Sequence, residues 1–135
     1  MSGALVLDSE GLAKAVRRDR EIHEWLTAAR DADLPVVTSA AALVEVIQPK
    51  INDAALRWTL SRLRVEPVTQ AVAQSAADPL RTAGLHGHKS AVDAMLCATA
   101  LQHSGPVTIL TSDAEEIAML TAGHPRIRPE RLRAR

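Results

Sequence analysis

The sequence predicts an α/β fold, with a mostly parallel sheet at its centre and helices on both faces. Three observations carry that prediction. Four runs of aliphatic and β-branched residues recur, at "ALVLD", "LPVVTS", "VEPVT" and "VTILTS". The segments between them place apolar residues at helical spacing, so strand and helix alternate, which is the pattern of a parallel sheet covered on both sides. At 135 residues, 47% of them hydrophobic and 24% charged, the chain suits one soluble domain, 1–135, with one substantial core.

Each element follows from local chemistry. After the first strand run, Leu12, Ala15, Val16, Ile22, Trp25, Leu26 and Ala29 fall at helical spacing, and "RRDR" divides them into two helices. Ser39 caps "AALVEVIQ", Pro49 ends it, and "NDAALRWTLSRLR" forms the next helix with Asn52 or Asp53 near its start. "QAVAQSAADPLRTAG" reads as a helix interrupted at Pro79 and closed by Gly84. Ser90 opens "SAVDAMLCATALQHSG", which Gly105 and Pro106 stop before the last strand run. The final ten residues, 126–135, hold five arginines and one acid and read as a basic tail.

Several functions are disfavoured at this level. No apolar run is long enough to cross a bilayer, and "MSGALVLDSE" has no basic flank before its short apolar stretch, so a cytoplasmic chain without a signal peptide is expected. Cys97 stands alone inside "MLCATAL" and reads as a small core residue. Lys plus Arg and Asp plus Glu are both 16, so net charge gives no long-range pull toward nucleic acid. The basic clusters "KAVRRDR" and "RIRPERLRAR" read either as solvated surface or as contacts for a polyanion. Trp25 and Trp58 are the sole aromatics, which argues against base stacking as the main binding mode.

The chemistry gathers on acids near strand ends. Asp8 ends the first strand run and Asp113 follows the last; a helix cap would explain either one alone, and Asp113 with Glu116 also fits a capping box. Glu45 and Asp93 are harder to assign to capping. Glu45 lies between aliphatic neighbours with no basic residue three or four positions away, and Asp93 is the sole charge in a helix apolar all round. A capping box with Ser90 is the structural alternative for Asp93. With Glu45 and Asp93 placed in the first turns of their helices, all four acids can reach one strand edge, where ligands of open parallel sheets bind. Crowded carboxylates repel unless a cation lies among them, and all-oxygen donors favour Mg²⁺ or Mn²⁺. Such an ion activates water and neutralises a phosphodiester, so the reaction class is that of a metal-dependent nuclease or phosphohydrolase.

In order and spacing, "LVLDS", "TSAAALVEV", "VDAMLCATAL" and "ILTSDAEEIAML" resemble the PIN-domain ribonucleases, specifically VapC-type toxins of toxin–antitoxin pairs. The resemblance spans nearly the whole chain. It implies a PIN-like α/β/α sandwich, a Mg²⁺ or Mn²⁺ site, and endonucleolytic cleavage of structured RNA such as transfer or ribosomal RNA. It also implies a homodimer neutralised by a VapB-like antitoxin that places a basic side chain in the acidic site. Matched motif to motif, the catalytic and metal-binding carboxylates are Asp8, Glu45, Asp93 and Asp113. Glu116 falls where relatives carry an additional acid that holds a metal-bound water, and Thr111 or Ser112 supports the site by hydrogen bonding.

The sequence departs from the family pattern at "DSEGL", where Glu10 adds a charge, and in "LHGHK". His86 and His88 lack the further Cys or His partners of a zinc site and read as an exposed loop; substrate contact by them or by Lys89 is left open. Two other readings compete: a catalytically silent PIN-like module that binds RNA or protein, and a small phosphatase or nucleotide-binding protein. Asp8 is not followed two residues on by the Asp that haloacid-type phosphatases use, and no glycine-rich phosphate loop occurs, which argues against the phosphatase or nucleotide-binding reading.

Overall fold

Every side chain of strand β1 (Ala4–Leu7) is buried, and alternate residues serve opposite faces of the sheet. Ala4 and Val6 join one apolar cluster; Leu5 and Leu7 join another. The computed structural model describes residues 2–133, so Met1 and the end of the predicted basic tail, residues 134–135, lie outside the described residues. Beyond β1 the chain forms α1 (Ser9–Val16), α2 (Arg20–Asp31), β2 (Val36–Ser39), α3 (Ala40–Val46), α4 (Asp53–Leu60) and β3 (Arg64–Glu66). It continues as α5 (Gln70–Ala83), α6 (His88–Leu101), β4 (Val107–Thr111), α7 (Ala114–Leu120) and β5 (Ile127–Arg131).

All pairings are parallel, in the order β3-β2-β1-β4-β5. Buried residues of α5, α6 and α7 pack on one face of the sheet, while α1 and α2 cover the other. A third cluster, Leu12, Val16, Ala42, Val46 and Leu56, joins α1 to α3 and α4. The α/β class and parallel sheet expected from the sequence are present. Among the described residues, no helix is long and apolar enough to cross a membrane.

The strand order has a direct consequence for where a ligand can sit. From β1 the chain steps to β2 and β3 on one side, and later from β4 to β5 on the other. The carboxyl ends of β1 and β4 therefore flank the point where the order reverses, the usual crevice of an open parallel sheet. Leu7 pairs with Leu110, which sets Asp8 beside Thr111 as the two strands end.

Several local expectations change. The helix α5 runs through Pro79 without a break, because the carbonyl that loses its donor belongs to exposed Ser75, where water can satisfy it. Helix α6 starts at His88 behind Gly87 rather than at Ser90; Gly87 has φ 103°, a conformation that favours glycine. Strand β3 covers Arg64–Glu66, and Pro67, without an amide hydrogen, lies beyond its end. Within the predicted basic tail, residues 127–131 form β5, an edge strand beside β4. Its arginines and Pro129 are what an exposed edge tolerates and also what hides its period, with Ile127 and Leu132 supplying the buried contacts.

Candidate functional site

The carboxylate of Asp8 is both a helix cap and the floor of a cleft. Its Oδ1 accepts from the Gly11 amide at 2.7 Å, as expected of an N-cap, and its Oδ2 accepts from the Ser112 amide at 3.0 Å, beyond β4. Gly11 permits this: a Cβ there would stand 3.3 Å from Leu7 Cβ and 3.4 Å from the Leu110 carbonyl oxygen. Burial pushes the Asp8 carboxyl above its ordinary value, opposed by hydrogen bonds from Gly11, Ser112 and the Thr111 side chain. Thr111 also accepts from the Asp113 amide at 2.9 Å, so its hydroxyl links the ends of the two strands. The supporting part expected of Thr111 or Ser112 is taken by both, Ser112 acting through its backbone.

Asp113 caps α7, accepting from the Glu116 amide at 3.1 Å. That bond, together with Lys89 and Arg131, lowers its carboxyl below the usual range. The reciprocal half of a capping box is missing: Glu116 turns away from the Asp113 amide and accepts from the Ser90 hydroxyl at 2.9 Å. Ser90 is therefore spent on Glu116 and does not cap Asp93. Asp93 lies in the second turn of α6 and Glu45 in the last turn of α3, so neither occupies the first turn expected for it. They reach the edge because both helices run beside it, and the side chain of Asp93 is only 7% exposed.

Asp93 and Glu116 are titrating neighbours, each perturbing the other. Burial first, and then the neighbouring Glu116, push Asp93 up to about 7, while Lys89 opposes the rise; Glu116 is held low by Asp93, by the Ser90 hydroxyl and by Lys89. The second Glu116 oxygen is buried without a hydrogen-bond partner. Into this group of acids comes the ammonium of Lys89, 3.0 Å from Asp93, 3.4 Å from Asp113 and 3.5 Å from Glu116. Its own proton is held more tightly than usual, since the three carboxylates outweigh the opposing effect of burial. The sequence left Lys89 without a role; the i,i+4 spacing to Asp93 was the available signal.

Glu45 stands on the opposite side of Asp8 and accepts from the Ser9 hydroxyl. Asp8, Ser9, Glu45, Lys89 and Asp93 line one end of a cleft of about 1210 Å³ that extends past Arg17 to Trp58. The Trp58 ring, about half exposed, lies under the guanidinium groups of Arg18 and Arg62, 5.4 and 4.6 Å from its centroid. Glu10 sits at the rim, paired with Arg17 at 3.5 Å. His86 and His88 are exposed, as read from the sequence, and Cys97 is buried in the core.

Among the described residues, no three His, Cys, Asp or Glu side chains stand close enough to ligate one ion as they are arranged. The donor chemistry nonetheless suits a hard divalent cation: oxygen donors only, one of them buried without a hydrogen bond, beside a carboxyl that burial makes costly to ionise.

Much of the basic sequence is structural. Lys14 is buried, donating to the Arg133 carbonyl at 2.9 Å and lying 3.6 Å from Asp19. Arg126 donates to the carbonyls of Leu101, His103 and Gly105 at the end of α6. Arg131 pairs with Glu115 and Arg133 with Glu21.

Known proteins agree with this architecture. A chain of VapBC2 from Rickettsia felis, solved bound to a DNA fragment from its promoter, superposes with a TM-score of 0.71 at 15% identity, over 96% of this chain and 99% of that one. A toxin–antitoxin complex from Klebsiella pneumoniae gives 0.64 at 19% identity over 92% and 95%. FitAcB from Neisseria gonorrhoeae gives 0.63 at 21% over 93% and 95%. At these identities the likeness is one of fold. No curated sequence matches significantly. Residues 5–119, from β1 to the penultimate residue of α7, match the PIN domain family, and the chain belongs to that family.

Proposed function

We propose that the chain is a Mg²⁺- or Mn²⁺-dependent endoribonuclease that acts as the toxin of a cytoplasmic toxin–antitoxin pair. The observation that carries this reading is the convergence of Asp8, Asp93, Asp113 and Glu116 on the crevice between β1 and β4, with Glu45 across the same cleft. PIN-family membership and structural neighbours that are toxin–antitoxin complexes support it.

Asp8, Asp93 and Asp113 would hold the ion, with Glu45 and Glu116 completing the acidic wall. The ion would neutralise charge on a phosphodiester and activate the attacking water. The chain's own residues do the rest. The Gly11 and Ser112 amides fix both oxygens of Asp8, so that carboxylate is oriented before substrate arrives. Ser9 orients Glu45, and Ser90 orients Glu116. Arg17 and Lys50, which line the same cleft, would meet phosphates of the RNA, taken to be a structured transfer or ribosomal RNA. A basic antitoxin segment would enter the same cleft and set a cationic side chain among the carboxylates; the reading includes a homodimer.

The test is cleavage of total cellular RNA by the purified chain with Mg²⁺ or Mn²⁺, with EDTA, and with Asp8→Asn and Asp93→Asn. Discrete fragments that require metal and vanish in both variants are expected. If folded, metal-supplied protein cuts no RNA, the catalytically silent binding module replaces the nuclease.

A further inference from the structure

Lys89 stands where the rules of an isolated helix disfavour it. It occupies the first turn of α6, where the helix dipole favours anions, and that turn contains no acid. It also precedes Asp93 by four residues, the poorer order for an intrahelical ion pair. No side chain caps this helix start. What compensates is tertiary: the ammonium lies 3.0, 3.4 and 3.5 Å from carboxylates of α6 and of the α7 start.

Those distances are also instructive. Mg²⁺ binds oxygen at about 2.1 Å, so acids arranged around an ammonium are too far apart to ligate an ion until the ammonium leaves and they draw inward. The absence of a ready three-ligand cluster among the described residues agrees with this spacing. Leaving is easy for this side chain. Lys89 is 56% exposed, whereas Asp93 and Glu116 are 7% and 13% exposed, so the stem can swing outward without disturbing packed groups.

We propose that the Lys89 ammonium is the resident counter-ion of the metal-free acid site, and that a divalent cation enters by displacing it into the cleft. The inference rests on the metal-dependent reading above. A single ammonium offsets one of the converging negative charges; a divalent ion offsets two and bonds the oxygens directly. Lys89 thereby keeps the site assembled without metal and sets the divalent concentration at which the site loads.

The test measures Mn²⁺ binding to the purified full chain by electron paramagnetic resonance at pH 7.5, comparing wild type with Lys89→Met, Lys89→Arg and Arg133→Met. Lys89→Met should bind on the order of tenfold tighter, the worth of a few partly exposed ion pairs no longer broken on loading. Lys89→Arg should bind as wild type does. Arg133→Met removes the same charge from a residue paired with Glu21 rather than lodged among the acids, and should shift affinity by less than about threefold. Lys89→Met should also melt earlier than wild type without metal, and level with it at saturating Mn²⁺.

If wild type binds Mn²⁺ and Lys89→Met binds equally or more weakly, the displacement idea fails while the metal site stands. Equal tightening by Arg133→Met would also overturn it, reducing the effect to net charge. If no variant binds Mn²⁺, the metal-dependent reading falls, and this inference with it.

Discussion

The basic segment around β5 and the acidic edge beside β4 both gather like charge, yet they are built in opposite ways. Along the basic segment charges have separate partners: Arg126 takes three carbonyls at the end of α6, Arg131 takes Glu115, and Arg133 takes Glu21. Beneath it, buried Lys14 takes the Arg133 carbonyl. At the acidic edge three carboxylates share one ammonium, and a buried oxygen of Glu116 has no hydrogen bond. Charges that serve the fold are matched locally. A surplus that the fold does not match is a demand for a ligand.

The largest expected effect breaks the acidic side of the comparison. Asp93→Asn should lower RNA cleavage by about 10²–10³-fold, the scale of losing one group that stabilises developing charge. Its circular dichroism spectrum should remain that of wild type. On the basic side, Lys14→Met should do the reverse. Removing a buried ammonium that holds Arg133 and faces Asp19 should cost about 2–3 kcal/mol in urea unfolding, with cleavage unchanged in folded protein. A loss of cleavage in that variant would join the two regions and undo the distinction.

A pH series sharpens the contrast. Asp93 has a folded-state value raised to about 7, so the folded chain binds that proton more tightly than the unfolded chain does. The resulting stability is fully present below the ordinary carboxylate value and is lost as pH rises toward 7. Melting of the metal-free protein should show that fall, Asp93→Asn should remove it, and added Mg²⁺ should stabilise wild type more at pH 7.5 than at pH 5.5. The smallest effect belongs to Arg126→Ala: about 1 kcal/mol, because its carbonyl acceptors lie at an exposed helix end where water replaces the donor. Hydrogen exchange at the last turn of α6 would detect it.

Legibility divides along the same line. The first four strand runs, the caps at Asn52 and Ser39 and the stop at Gly84 were readable, because each depends on residues within a few positions of one another. Strand β5 was not: as an edge strand it buries few residues, so arginines mask its period. The basic clusters were read as surface or polyanion contacts for a similar reason, since nothing near Lys14 in the chain announces that Arg133 will lie over it. Among the acids, Glu45 and Asp93 stood out as charges harder to assign to local capping.

By itself the sequence determined the alternation of strand and helix and which acids were in excess, because both follow from period and from the neighbours a side chain has along the chain. Only the tertiary structure decided how those acids meet. It put Asp8 beside Thr111 through parallel pairing of β1 with β4, turned Glu116 from its cap toward Ser90, and set Lys89 among carboxylates of two helices. Charge falls off over distance in space, whatever the separation along the chain, so its balance is settled only when the elements pack.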